Sequence, residues 1–371
     1  MKKNSFTFIA MISWTVVLIF LLSILVYGLS RSRYSYDVPS YDTTTTTWIK
    51  NDEAFLIKEE VFSIDDLTSL NFKSTFESLI VNVTDTDDIV VLQYSDPGLD
   101  KEFKSSIDNG NLNISLPGRD HLNNFFDSSF DFRLEIYIPE KYANAASFTS
   151  SSGSINIFGN PVWSDASVTS SSGSIDINTI YCKSFTAESS SGSIYIYSIE
   201  CDNNANIKTS SGSININQLI ALNLDIQMSS GSLDGQDIIV DKNLDLSSKS
   251  GAIQFNSIIC DEFNVKTTSG VFSTNEIIGS GHIDSSSGSI NINGFTILGD
   301  TDISSKTGSI YVLTTPSQNY KINLQTNSGG IQCTFPVDYE NDRKSKASGT
   351  VGDGSIGTLS VFASSGSINI D

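Results

Sequence analysis

Eleven times in this 371-residue chain a hydroxyl residue stands immediately before a glycine that opens a short alternating strand: Ser152, Ser172, Ser191, Ser211, Ser230, Ser250, Ser269, Ser287, Thr307, Ser328 and Ser365. A serine becomes a nucleophile only with a base in hydrogen-bond reach. No histidine or carboxylate recurs beside these steps, and the two histidines, His121 and His282, are far apart. Hydrolysis by paired carboxyl groups needs them roughly 5–9 Å apart across a cleft. Asp234/Asp237 and Asp300/Asp302 are neighbours in sequence, but nothing places either pair in a cleft. Calcium-binding repeats need Gly-Gly-x-Gly-x-Asp, and the EF-hand loop has its own spacing. Neither occurs, so no catalytic residue, metal site or cofactor is expected.

The cysteines offer a second kind of chemistry. Cys182 and Cys201 each fall nine residues after a marker glycine in consecutive repeats. If repeats stack, their Cα atoms lie about one strand spacing apart, inside the ~4.4–6.8 Å range of a disulfide. Parallel in-register neighbours dispose their Cβ vectors poorly, however. Cys260 occupies the same repeat position, which suits a small buried hydrophobe equally well. Cys333 has no evident partner.

A third pattern is a column three residues after the glycine: Asn156, Asp176, Tyr195, Asn215, Asp234, Asn291 and Tyr311, with Gln254, Ser273 and Asn369. Amides, carboxylates and phenol rings on one flat face can bind a glycan or a surface protein by hydrogen bonds and ring contacts. Such ladders also serve simply to stabilise stacked strands. Both readings stay open at this level.

What positions these residues is the repeat itself. The marker glycines run from Gly153 to Gly366 at spacings of 20, 19, 20, 19, 20, 19, 18, 20, 21 and 37 residues. A period near twenty is the signature of a solenoid, in which one repeat buries its apolar face only against a neighbour. Two and four places after the glycine come pairs such as Ile175/Ile177 and Ile194/Ile196. Seven and nine places after it come Ile180/Cys182 and Ile199/Cys201. Just before the next glycine come Ala205/Ile207 and Leu224/Ile226. Period two with branched aliphatics marks a strand with one buried face. The expected fold is therefore all-β: a parallel β-helix of ten or so three-strand coils, right-handed by the crossover rule. Glycine would let each coil turn sharply, and the hydroxyl before it would form a ladder at the corner.

The N-terminal part reads differently. Phe6 to Leu29 is almost wholly apolar and long enough to cross a ~30 Å hydrocarbon core. That run exceeds the ~7–15-residue apolar region of a cleaved signal peptide. We expect residues 1–5 to be a cytoplasmic tail, 6–30 a transmembrane signal anchor and 31–52 a Thr-rich stalk. Residues 53–140 form a β-rich capping region, 141–336 the solenoid, and 337–371 an enlarged coil with a charged loop and a terminal coil that leaves an edge to be covered. Sequons at Asn82 and Asn113 suit an extracellular or luminal domain bearing glycans. The formal charge of −20 and pI near 4.3 argue against nucleic acid as a partner. No arginine falls between Arg133 and Arg343, so no basic track is evident on the repeats.

The segment ending in Ile136-Tyr-Ile-Pro139, the stretch Thr149-Ser-Ser-Ser-Gly-Ser-Ile-Asn-Ile157 and the recurring Ser-Gly-Ser-Ile steps resemble the putative adhesin domain family over roughly residues 53–371. That resemblance implies a short-coil β-solenoid without catalytic residues to carry over. The expected function is membrane-anchored recognition at a surface. A structural spacer is the alternative, and a polysaccharide-active enzyme a more distant one.

Overall fold

The computed structural model describes residues 55–95, 101–117, 132–315 and 317–371, and every regular element among them is a strand. The expected tail, anchor and stalk lie outside the described residues.

Among the described residues eight short strands come first: β1 (Phe55–Phe62), β2 (Ser69–Ser74), β3 (Ser78–Thr84), β4 (Ile89–Ser95), β5 (Lys104–Asp108), β6 (Asn111–Ser115), β7 (Arg133–Pro139) and β8 (Ala145–Ser150). The repeats proper are β9 (Ile155–Phe158), β10 (Val162–Ser170), β11 (Ile175–Ser189), β12 (Ile194–Thr209), β13 (Ile214–Met228), β14 (Leu233–Ser250), β15 (Ile253–Ser269), β16 (Phe272–Ser287), β17 (Ile290–Thr307) and β18 (Ile310–Thr314). The chain closes with β19 (Tyr320–Ser328), β20 (Ile331–Cys333), β21 (Val337–Tyr339), β22 (Lys346–Val351), β23 (Thr358–Ser365) and β24 (Ile368–Ile370).

From β11 onward a single long strand carries all three apolar pairs of a coil, bending at the corners, and each coil pairs in parallel with the next. Ile175, Ile177, Ile180 and Cys182 face Ile194, Ile196, Ile199 and Cys201 across one step. Later steps repeat the pattern through β17. Alternate residues point inward, so the isoleucines and leucines of each coil share one dry core with those above and below. Register shifts fall at the corner before the third segment, between Cys182 and Phe185 and between Cys201 and Asn204. These bulges absorb the variation in repeat length. The regular array amounts to about eight turns, somewhat fewer than the ten or so expected.

At both ends, spatial order departs from chain order. The regular stack begins with β8 and β9, which lie on β2 and β3, which lie in turn on β6 and β7. The segment before the repeats thus supplies two layers of the same stack, with Leu70/Phe72 and Leu79/Val81 continuing the apolar columns. Antiparallel strands close this end, β4 on β7 with β1 outside it, and β5 on β6. Phe72 stacks on Phe148 at 5.5 Å between centroids and Trp163 lies 5.7 Å beyond, so large rings fill the core here.

The other end corrects the expected open edge. β23 pairs with both β17 and β19, and β24 with both β18 and β20, so the terminal Ile368–Ile370 motif is interior. The end layer is β19 and β20, and β22 pairs antiparallel with β19 while β21 pairs with β22. A parallel coil ends in an unpaired row of backbone groups, and an antiparallel hairpin is a compact way to occupy it.

The corner also differs from expectation. All eleven hydroxyl residues before the marker glycines are solvent-exposed. Their backbone groups carry the ladder instead, as in Ser172 N–H to Ser151 O at 2.9 Å and Ser230 N–H to Ser210 O at 2.9 Å. The buried hydroxyls lie three residues before the glycine, at Ser150, Ser170, Ser189, Thr209, Ser248, Thr267, Ser285, Ser305 and Thr326. Several bind the turn: Thr209 Oγ1 accepts from Gly212 N at 3.1 Å, and Thr326 Oγ1 donates to Gly366 O at 2.9 Å. Positive φ is not the common reason for glycine, since it occurs from Gly231 onward but not at Gly153, Gly173, Gly192 or Gly212. The shared reason is contact: a Cβ on Gly173 would run into the Gly153 carbonyl, and the same holds down the column.

Candidate functional site

Alternation places the residues immediately before and after each inward isoleucine on the outer surface of the first coil segment. Parallel register then stacks them at roughly 4.8 Å per coil. Asp176 faces Tyr195, Tyr195 faces Asn215, and Asn215 faces Asp234. These four residues line a shallow depression of about 420 Å³ together with Tyr197, Asn217 and Gln236.

The rest of the column is not gathered there. Asn156 lies beside Asp176 but donates to Ser154 Oγ at 3.2 Å. Asn291 and Tyr311 face one another several coils away and are half-buried. Tyr197 is the residue that following one column misses. It is 62 % exposed, against 45 % for Tyr195. The strict alternation of Tyr195-Ile196-Tyr197 was the available signal, since the residue two beyond an outward one is also outward.

Two kinds of outer surface can now be told apart. Asn293 donates to Asn275 and Asn275 to Asn256, both at 3.2 Å, and a second ladder runs from Asn243 through Asn223 to Asn204. Those amides are satisfied by one another. Among the described residues Tyr195, Tyr197, Asn215 and Asn217 make no side-chain hydrogen bond, while Asp234 accepts from Gln236 Nε2 at 3.0 Å. The depression therefore presents two ring faces and two uncommitted amides to a ligand.

Asp176 keeps solvent contact at its rim, yet the surrounding protein strips enough water to raise its carboxyl above the usual carboxylate range. A raised folded-state value means that the charged form costs folding free energy above the unfolded pKa. Asp176→Asn should accordingly stabilise the protein at pH 7, by roughly 0.5 kcal/mol or less given solvent screening. The gain should vanish below about pH 3.9, where the unfolded carboxyl is already protonated. Urea midpoints at pH 7 and pH 3 test this; equal gains at both pH values would contradict it.

The remaining sequence candidates have these places. Cys182 and Cys201 are buried thiols paired in register with Sγ atoms 3.0 Å apart. Their mutual hydrogen bond, and then burial, push the Cys182 thiol well up. Cys260 lies in the same column, pushed up to about 12 by burial. Asn82 and Asn113 are half-buried in β3 and β6, each strand being paired on both sides. Asp300 accepts from Thr358 N at 2.8 Å, and Asp302 lies 3.4 Å from His282 Nδ1, so both serve local contacts. Among the described residues there is no cluster of three or more metal-ligating side chains.

The chain is similar to several solved structures. One is described as a putative adhesin from Parabacteroides merdae, 13 % identical, covering 85 % of this chain and 95 % of its own, with a TM-score of 0.38. A putative adhesin from Bacteroides fragilis is 16 % identical, covering 65 % and 95 %, with a TM-score of 0.36. A putative lipid binding protein from Parabacteroides distasonis is 17 % identical, covering 85 % and 96 %, with a TM-score of 0.33. No curated protein matches the chain. The Toastrack DUF4097 model matches residues 67–256 and 206–371, from the first buried leucine of the stack to the last coil. The glycine-cornered β-solenoid thus belongs to the Toastrack DUF4097 family.

Proposed function

We propose that the chain is a membrane-anchored recognition rod without catalysis. Residues 6–30 hold it in the membrane, and the right-handed solenoid stands on the extracellular or luminal side. Its ligand is a glycan or a surface protein, not nucleic acid, and the depression around Tyr195 and Tyr197 receives it. The supporting observation is the contrast in amide use: the asparagine ladders are saturated, whereas Asn215 and Asn217 beside the two exposed rings are free to bond a ligand. Aromatic faces with adjacent amides suit a sugar ring, which has an apolar face and a polar rim. Cys182 and Cys201 remain the candidate for a bridge in such an oxidising compartment, and Asn82 and Asn113 the candidates for glycan attachment.

Binding of the detergent-purified full chain to a glycan array tests the reading. The double variant Tyr195→Ala/Tyr197→Ala should lose about tenfold or more in affinity, and Asn275→Ala, in a ladder, should not. Binding unaffected by the double variant would reject the tyrosine face. A spacer without ligand is favoured by one observation, the self-satisfied ladders, and predicts no binding on the array at all.

A further inference from the structure

Between residues 150 and 315 the chain has six lysines, Lys183, Lys208, Lys242, Lys249, Lys266 and Lys306, and no arginine. They are scattered in sequence, and nothing in their spacing suggests a track. The coil nevertheless brings four of them to one place. Lys208 and Lys266 lie four residues before their marker glycines, and Lys249 and Lys306 lie two before theirs. The position between is the buried hydroxyl column. Because that column is small, it forms the floor of a groove of about 640 Å³ with these four lysines on its walls.

The geometry follows from the register. Lys208 to Gln227 to Ser247 to Lys266 runs along one bank through paired strands. Counting coils from Lys208, the lysines sit at steps zero, two, three and five, on alternating banks. At ~4.8 Å per coil they are spread over about 24 Å, with gaps of about 5–10 Å. The floor is Thr209, Met228, Ser248, Thr267 and Ser285, and further serines and threonines line the rim.

Two of these lysines face a carboxylate in the adjacent coil, Lys208 with Glu188 and Lys266 with Asp284. Among the described residues none of the four makes an ion pair or a side-chain hydrogen bond. The carboxylate in the groove wall, Asp284, accepts from Ser304 Oγ at 2.5 Å. In the neighbouring outward column Asp225 and Asp245 accept from Gln227 and Asn264, and Asp302 faces His282. On the floor, Thr267 Oγ1 is buried with no hydrogen-bond partner, as are Ser170 and Ser189 in the same column outside the groove. In a chain of charge −20, four lysines without an ion pair, against one lining carboxylate, make this hydroxyl-lined trough a local site for negative charge.

We propose that this groove binds an extended anionic polysaccharide. The lysines hold successive carboxylate or sulfate groups, and the floor and rim hydroxyls, which both donate and accept, meet the sugar hydroxyls. Single-stranded nucleic acid fits less well, because the groove has no aromatic ring for base stacking and the rest of the surface repels a long polyanion. The site lies on a different face from Tyr195 and Tyr197 and does not rest on that proposal.

The test is binding of the detergent-purified full chain to a labelled galacturonate hexamer and to a sulfated galactose hexamer, with the methyl-esterified galacturonate hexamer as uncharged twin. Binding of either charged hexamer below about 1 mM, at least tenfold tighter than the ester and weakening with salt, is expected. The pair Lys249→Gln/Lys266→Gln should weaken it about tenfold, whereas Lys183→Gln/Lys242→Gln, outside the groove, should leave it unchanged. Both pairs are surface changes that leave the core intact, and equal urea midpoints check this. Failure of both charged hexamers to bind, equal affinity for the ester, or equal loss from the two pairs would overturn the proposal. So would tighter binding of hexaglutamate or oligodeoxythymidylate, which would make the ligand a protein or a nucleic acid. Tyr195→Ala/Tyr197→Ala should leave binding of the charged hexamers intact, so failure of the tyrosine face is read separately.

Discussion

Gly212→Ala should destabilise the protein by about 3 kcal/mol, a large effect for one added methyl group. In an ordinary loop the same change stabilises by roughly 0.4–1 kcal/mol, because alanine has less unfolded-state entropy to lose. Here the two contributions compete and their sizes decide. The added Cβ would meet the Gly192 carbonyl, and the backbone flanking that glycine is bonded to both adjacent coils, Ser191 N–H to Ser171 O and Ile194 N–H to Ser213 O, so neither partner can move without disturbing a coil. Because φ at Gly212 is not positive, the loss reports crowding between coils and not backbone strain. Gly330→Ala is the matched control, since nothing lies within 4 Å of a Cβ there. It should change the urea midpoint by less than about 0.5 kcal/mol. Equal costs at the two sites would mean that the glycine column is not held by close stacking.

Phe263→Ala should cost about 3–5 kcal/mol, the usual range for removing a fully enclosed ring. Phe263 has no exposed surface, packs 6.0 Å from Phe295, and faces Leu244 on one side and Gly281 on the other. A Cβ at Gly279 would touch the Phe263 ring, so this glycine is what makes room for it. The compensation is local: neighbouring coils give up side-chain volume where this one has excess. Alanine would leave a cavity that paired strands cannot collapse to fill. In a linear array each coil contacts only its neighbours, so the damage should be concentrated there. Hydrogen exchange should accelerate first at Val265 and Ile283, ahead of Ile177 and Ile196. Uniform acceleration along the rod would indicate a single cooperative unit instead.

The interior of the regular coils was legible in sequence because it depends on period. Ile175, Ile194 and Ile214 recur at fixed offsets from a glycine, and the pairing puts them in one column. Two things were not legible. The first is stacking order at the ends: β2, with only Leu70 and Phe72 as inward apolar residues, lacks both the marker glycine and the period. Glu77 stands where a glycine would, directly beneath Gly153. The second is what adjacent columns make together. Tyr197 lies one alternation beyond the column followed, and the lysine groove joins positions four and two before the glycine across four intervening coils. Hydroxyls conspicuous beside the glycine proved exposed, while the buried ones that bond the turn were two residues earlier, where serine and threonine look unremarkable in sequence.

The inverted order of the last layers bears on how the molecule is built. A ribosome delivers β19 and β20 before β23 and β24, yet the later pair occupies the site directly against β17 and β18. The earlier pair must therefore wait, or dock and then yield its place, until the final residues emerge. Lengthening follows the same logic: extra repeats can be accommodated by duplicating an internal coil, since antiparallel strands already occupy both end layers.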